Sequence, residues 1–312
     1  MAGLDMRSID PMLIGATSEA FDDPAWLYEL KLDGERAIVY LEKDGTELKN
    51  KRNKKMLPVF PELKNLHEMV KEPCILDGEY VVMTDGKPDF AALQRRSLMS
   101  NPFRIELTAR KYPVSFVAFD VLAVNGERLM DRPLTKRKEI LAELIRNEND
   151  QIALSRVVEQ GGCAFYELAK AAGLEGIVAK KRTSLYYPGK RTKEWIKIKN
   201  MKDDDFVVCG WIDKAEHVSS LVLGQYRDGQ LVYKGHVTLG VRGDNFRRIR
   251  SMEQVEKPSF DIPKGNEGAI WIRPEIVCTV SYMERTEAGG FRHPVFKGLR
   301  DDKTANECVE TN

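Results

Sequence analysis

A short charged break at residues 200–205 (Asn-Met-Lys-Asp-Asp-Asp) separates two stretches of different texture. It makes this a two-domain chain, 1–201 and 202–312. In the first stretch, residues 26–42 alternate apolar and polar side chains and read as a strand-like run. Asp44-Gly45 signals a hairpin whose partner strand returns over 46–51. Residues 61–71 read as a short helix with Leu63, Leu66 and Val70 on one side. Further strands are expected over 74–83 (turned at Asp85-Gly86), 114–124, 176–180 and 194–199, and helices over 90–99, 135–147 (capped by Thr135) and 163–172 (stopped by Gly173). In the second stretch, 206–212, 221–226 and 231–238 read as strands, 244–255 as a helix capped by Asp244, and 269–285 as more strand.

The expected class is therefore α+β. About five strands and one helix in roughly a hundred residues suit a small barrel of the oligonucleotide-binding (OB) type for the second domain. Over 312 residues, 42% hydrophobic and 31% charged composition excludes a disordered chain. No apolar run is long enough to span a membrane, and residues 1–13 lack the apolar core of a signal peptide, so the expected compartment is the cytoplasm. The five cysteines are scattered with no C-x-x-C pair, which argues against a disulfide framework and a zinc site. The four histidines form no metal-spaced cluster. Net charge is only +1, yet residues 180–199 hold eight Lys or Arg against one acid, and 49–55 hold five with none. Such runs are either solvated faces or phosphate-binding surfaces on a balanced protein.

The segment Tyr28-Glu29-Leu30-Lys31-Leu32-Asp33-Gly34-Glu35-Arg36 sets a single lysine in the strand-like run and follows it with an acid, a glycine and an arginine. A lysine amine attacks phosphorus only when neutral. Its ordinary pKa is about 10.4, and neighbouring cations or burial lower it. Arginine could not serve, because the guanidinium keeps its proton. Lys-x-Asp-Gly alone is weak, and an edge strand would carry such a lysine as readily. Lys197 and Lys199, at i and i+2, share one strand face and can point at one phosphate; the bland alternative is the solvent side of an edge strand.

What adds specificity is an ordered set. After Lys31 come Arg52-Asn53, Leu76-Asp77-Gly78-Glu79-Tyr80, Phe119-Asp120, Glu175-Gly176-Ile177-Val178-Ala179-Lys180, Trp195-Ile196-Lys197-Ile198-Lys199, and Arg292-His293-Pro294 running on to Arg300-Asp301-Asp302-Lys303. In this order the motifs resemble the ATP-dependent DNA ligases of the covalent nucleotidyltransferase superfamily, closest to the ligase module of prokaryotic end-joining ligases. The resemblance runs from about residue 10 to residue 303. It implies an adenylation domain of antiparallel sheets with flanking helices, followed by an OB-fold domain carrying the C-terminal motif. It further implies that Lys31 takes AMP from ATP through a P–N bond, that Lys197 and Lys199 hold the α-phosphate, and that Glu79 and Glu175 hold Mg²⁺ or Mn²⁺. Phe119 would stack on adenine, with Glu29 near the base and Leu30 among the cofactor-binding residues. Glu79 would also lie near the ribose, and Arg36 and Arg52 near the ribose or the 5′-phosphate. Arg300 and Lys303, on a C-terminal tail, would orient the departing pyrophosphate after the second domain closes about a hinge at 200–205. Asp33 and Asp77 are expected to orient their own loops.

The implied reaction seals 3′-OH/5′-phosphate nicks and breaks in duplex DNA. RNA ligases and capping-type nucleotidyltransferases share the Lys-x-Asp-Gly chemistry and stand as the enzymatic alternative. A non-catalytic nucleic-acid-binding relative is the third reading. With only about thirty residues before the nucleophile, neither the DNA-encircling domain of replicative ligases nor the extra domain and zinc cysteines of NAD-dependent ligases is expected. ATP is therefore the expected nucleotide. A monomer at the nucleoid, a Ku-type end-binding partner and separate repair polymerase or nuclease partners complete the expectation.

Overall fold

The computed structural model describes residues 6, 8–214, 218–286 and 289–310. The chain divides into two compact units, Met1–Lys199 and Asn200–Asn312.

Two sheets build the first unit. One has five strands in the order Leu13–Thr17, Arg191–Lys199, Gly176–Lys181, Trp26–Leu30, Val157–Val158. The other runs Gly45–Asn50, Glu35–Glu42, Cys74–Thr84, Val114–Val124, Glu127–Arg128, with Lys87–Pro88 and Ile152–Leu154 paired alongside. Pairing is antiparallel except for Leu13–Thr17 with Arg191–Lys199 and Val114–Val124 with Ile152–Leu154. Strand Glu35–Glu42 is buried on both faces. Ala37, Val39 and Leu41 enter the main core with Leu76, Phe116 and Leu141, whereas Ile38 and Tyr40 join Met12, Phe119, Tyr186 and Trp195. A third cluster, with Tyr28, Ile177, Ala179 and Ile198, lies under the five-stranded sheet against helix Gly162–Ala171.

Residues 26–42 are not one strand. The run breaks at Lys31–Gly34, where the chain leaves the five-stranded sheet and enters the other. Gly34 permits the crossing, because a Cβ there would sit 2.2 Å from Tyr80 O and 2.6 Å from Glu79 Cγ. The helix expected over 61–71 is two 3₁₀ turns, Pro61–Leu63 and Leu66–Met69. They still bury Leu63, Leu66 and Val70. Helix Leu134–Leu144 starts before Thr135, with Pro133 at its cap; Thr135 sits in the first turn. Helix Pro102–Lys111 was not foreseen, although Asn101 caps it by accepting from Arg104 N and Pro102 opens it.

The second unit is a closed barrel of OB type. Its order is Gln230–Val237, Val218–Arg227, Lys202–Lys214, Ile270–Ile272, Gln254–Val255, with Val277–Tyr282 between Lys202–Lys214 and Val295–Arg300. The bridge Leu239–Val295 joins first strand to last and closes the sheet on itself. Lys202–Lys214 serves three neighbours by bending at a bulge between Val208 and Gly210. Residues 202–205 are thus already strand, and only 200 and 201 link the two units' strands. Among the described residues the barrel has seven strands where about five were expected. Its helix, Gly243–Arg250, is capped at Arg242; Asp244 lies in the first turn and pairs with Arg247.

Candidate active site

Lys31 lies directly after strand Trp26–Leu30, at the crossing between sheets. Its N–H donates to Gly176 O at 2.9 Å. Its Nζ lies 2.6 Å from Glu175 Oε2, and Lys199 Nζ lies 3.1 Å from Oε1 of the same carboxylate. Glu175 is 4% exposed, so this is one buried acid shared by two amines. Gly176 makes the approach possible: its φ is +132°, and a Cβ would fall 2.1 Å from Ile198 O.

Strand register places the remaining cations. Glu29 pairs with Val178, Val178 with Lys197, Lys180 with Trp195 and Gly176 with Lys199. By alternation, Glu29, Lys180, Trp195, Lys197 and Lys199 therefore share one face of the five-stranded sheet, and Ile196 and Ile198 pack into the cluster beneath the other. Burial, then the charges of Lys199 and Lys31, lowers the Lys197 amine.

Glu29 is buried and holds two amines, Lys138 at 2.6 Å and Lys180 at 3.0 Å. Burial alone would raise its carboxyl; the two lysines outweigh that and hold it low. Burial brings Lys180 down to about 8, partly offset by Glu29. Lys180 Nζ also lies 4.0 Å from the Phe119 ring centroid and 4.6 Å from that of Trp195. Spacing alone assigned no role to Lys138 or Lys180. The signal for Lys180 was a charge in the otherwise apolar run Gly176–Ala179. Leu30 pairs with Ile177 and packs into the lower cluster.

Arg36 donates from Nε and Nη2 to Asp77 at 2.5 and 2.6 Å, and its guanidinium lies 4.5 Å from the Phe119 centroid. Tyr186 Oη also donates to Asp77, at 2.6 Å. Asp77 thus closes the fork of Arg36 and steadies it beside Phe119, rather than orienting only its own loop. Glu79 pairs with Arg36 across the strands. Burial lifts its carboxyl to about 7; Asp77 and Glu175 push the same way, and Arg36 and Lys31 restrain the rise. Gly78, just before it, has no room for a Cβ, which would fall 2.4 Å from Val117 O.

Arg52 stands on the exposed loop 51–55. Asn50 shapes that loop by accepting from Arg52 N and Lys54 N, both at 3.0 Å. Arg300 and Lys303 belong to the second unit and are not on a free tail. Arg300 ends strand Val295–Arg300, and both cations pair with Asp205, at 3.3 and 2.9 Å, while Thr279 donates to its other oxygen. Residues beyond 303 are also part of the barrel: Cys308 is in its core, and Glu310 pairs with Arg227 and Lys234. Among the described residues no three or more His, Cys, Asp or Glu gather as a metal cluster.

A nucleotidyltransferase unit followed by an OB barrel defines the class: a covalent nucleotidyltransferase. Residues 11–199 match the ATP-dependent DNA ligase domain and residues 214–303 the ATP-dependent DNA ligase C-terminal region. DNA ligase C1 of Mycolicibacterium smegmatis is 34% identical, over 96% of this chain and 92% of its own length. The multifunctional non-homologous end joining protein LigD of Pseudomonas aeruginosa is 32% identical over 91% of this chain, which spans only 34% of that protein. Among solved structures, mycobacterial DNA ligase D complexed with ATP and MES is 27% identical, with a TM-score of 0.58 over 99% of this chain and 100% of the other. The ligase domain of LigD from M. tuberculosis gives 26% and 0.57 over the same shares. The chain belongs to the ATP-dependent DNA ligase family. That favours the DNA-ligase reading over the RNA-ligase, capping and non-catalytic alternatives.

Proposed function

We propose that Lys31 is the adenylated nucleophile of a ligase that joins 3′-OH and 5′-phosphate ends of duplex DNA. The observation that carries this is the shared carboxylate: Glu175 holds the Lys31 amine at 2.6 Å and Lys199 at 3.1 Å, with Lys197 on the same face. Lys31 Nζ bonds to the α-phosphorus of ATP while the bond to pyrophosphate breaks. Glu175 is the base within hydrogen-bond reach of the amine proton. Lys197 and Lys199 offset the charge growing on the α-phosphoryl oxygens. AMP then passes to the DNA 5′-phosphate, and the 3′-OH displaces it.

Adenine presents an amino donor at N6 and an acceptor at N1. Glu29 and Lys180, 3.0 Å apart beside Phe119, form the complementary acceptor–donor pair, and Phe119 supplies the stacking ring. Arg36 supports that ring, and Arg52 on its exposed loop takes a phosphate. Glu79 and Glu175 are hard oxygen donors suited to Mg²⁺ or Mn²⁺, and a divalent cation would offset both the burial and the smaller repulsion from Asp77 and Glu175 that raise Glu79. Such a cation would neutralise phosphate charge. Arg300 and Lys303 serve pyrophosphate departure. Similarity to LigD supports a role in end joining, with a Ku-type protein and separate repair enzymes as partners, acting as a monomer at the nucleoid. Among the described residues no helix is long and apolar enough to cross a membrane.

Incubation with α-³²P-ATP tests the reading. Wild type becomes labelled, whereas Lys31→Ala and Lys31→Arg do not; label retained by either variant rejects Lys31.

A further inference from the structure

Away from the nucleotide pocket, helices Phe90–Ser97 and Pro102–Lys111 form a hairpin that bears the two most exposed large apolar side chains of the described residues, Phe103 at 77% and Leu98 at 76%. Leu107, on the second helix, is 62% exposed. Phe103, Leu107, Arg110 and Lys111 fall at i, i+4, i+7 and i+8, so they form one stripe, while Ile105 faces the core. Arg104, Arg110 and Lys111 make no ion pair among the described residues. Elsewhere on the surface, cations such as Arg128, Arg132 and Lys136 do find acids.

The hairpin is tied to the basic loop 51–55 through a single carboxylate. Ser97, the last residue of the first helix, donates to Glu35 Oε2 at 2.8 Å, and Asn50 Nδ2 donates to Glu35 Oε1 at 2.7 Å. The same Asn50 shapes the loop through Arg52 N and Lys54 N. Lys51, Arg52 and Lys54 are all exposed there.

We propose that this hairpin is a docking arm for duplex DNA. Arg104, Arg110 and Lys111 contact backbone phosphates, Phe103 and Leu107 cover apolar deoxyribose faces, and the Ser97–Glu35–Asn50 chain sets loop 51–55 for the same duplex. Unpaired cations flanking an apolar stripe would also suit an acidic protein segment. Continuity with a second element that exposes Lys51, Arg52 and Lys54 favours the regular polyanion, and the family's substrate is DNA. The inference rests on membership of the ligase family and not on the role of Lys31.

Anisotropy titrations of a nicked duplex, without ATP and across a salt series, test it with the full chain. Arg104→Ala/Arg110→Ala/Lys111→Ala should weaken binding and make the log–log salt dependence shallower by about 2–3, near 0.9 per lost phosphate contact. Phe103→Ser/Leu107→Ser should weaken binding about tenfold with the slope unchanged. Both variants should still label with α-³²P-ATP as wild type does. Wild-type affinity and slope in both variants overturns the proposal and leaves the face to a protein partner. Loss of labelling overturns it as well, because the hairpin would then be a support of the nucleotide pocket. Labelling reads Lys31 and anisotropy reads the hairpin, so either reading can fail without the other.

Discussion

Glu79→Gln should stabilise the metal-free protein at alkaline pH while removing a proposed metal ligand. Burial raises the Glu79 carboxyl from 4.5 to about 7. Between those values the native state keeps a proton that the unfolded chain has released, so stability falls as pH rises through the window. The full penalty is absent below 4.5 and complete above 7. Between pH 5 and pH 8 the integrated change is about 2.5 kcal/mol, and about 2 kcal/mol once partial solvent access to Glu79 is allowed for. Glutamine has no proton to lose, and every other titrating group is common to both proteins. The difference in unfolding free energy between Glu79→Gln and wild type should therefore grow by about 2 kcal/mol from pH 5 to pH 8. Denaturant titrations in EDTA, followed through the transition of the first unit, read that difference. If it is the same at both pH values, Glu79 is not held protonated by burial and the reasoning fails. With Mn²⁺ present the sign inverts for binding: at pH 6 only about a tenth of Glu79 is ionised against about nine tenths at pH 8, so wild-type Mn²⁺ affinity should fall about tenfold on acidification.

Two further outcomes concern paired charges. Asp120 and Arg137 are fully buried, joined at 2.8 and 2.9 Å, and Arg137 also donates to Ser184 O at 2.9 Å. Removing either partner strands a charge, so Asp120→Ala or Arg137→Ala should cost about 3–5 kcal/mol. A loss below about 1 kcal/mol in the denaturation midpoint would contradict this. Arg300→Ala and Lys303→Ala should slow self-adenylation by about tenfold or more, yet leave sealing of a pre-adenylated nick nearly intact. Equal loss in both assays removes their assigned step. Point variants are needed because truncation after Leu299 would also strip Cys308 and Glu310 from the barrel.

Alternation and turn chemistry made most strands legible. Val114–Val124 is a long, mostly apolar run, Cys74–Thr84 is rich in strand formers on both sides of Asp77-Gly78-Glu79, and Asp85-Gly86 and Asp228-Gly229 both take positive φ at hairpin tips. Helix caps were less legible. Thr135 and Asp244 have capping side chains, but the helices begin one residue earlier, at Leu134 and Gly243, with Pro133 and Arg242 at the caps and no side-chain cap bond at either. The break at Lys31–Gly34 was invisible to pattern. Both halves alternate correctly, and only the packing of Gly34 on Tyr80 O shows that they belong to different sheets. The ordered motifs located Lys31, Glu175 and Lys199, but register alone could not reveal that one carboxylate serves both amines. Lys138 comes from a helix far along the chain, and no spacing rule links it to Glu29.

That sharing explains how so many cations can be gathered before a nucleotide arrives. Lys31 and Lys199 divide Glu175, Lys138 and Lys180 divide Glu29, and Arg36 takes Asp77. Each buried carboxylate lowers the cost of burying amines without cancelling both, and Lys197 is left with its amine lowered by burial and then by its cationic neighbours. Glu79, raised to about 7, subtracts less than a full charge at neutral pH. The pocket therefore keeps a positive excess on one sheet face, with the amines already oriented. A polyphosphate supplies the missing anions, so reorganisation on binding is small, and the preference for a polyanion over a neutral ligand follows from the count of acids, not from any single lysine.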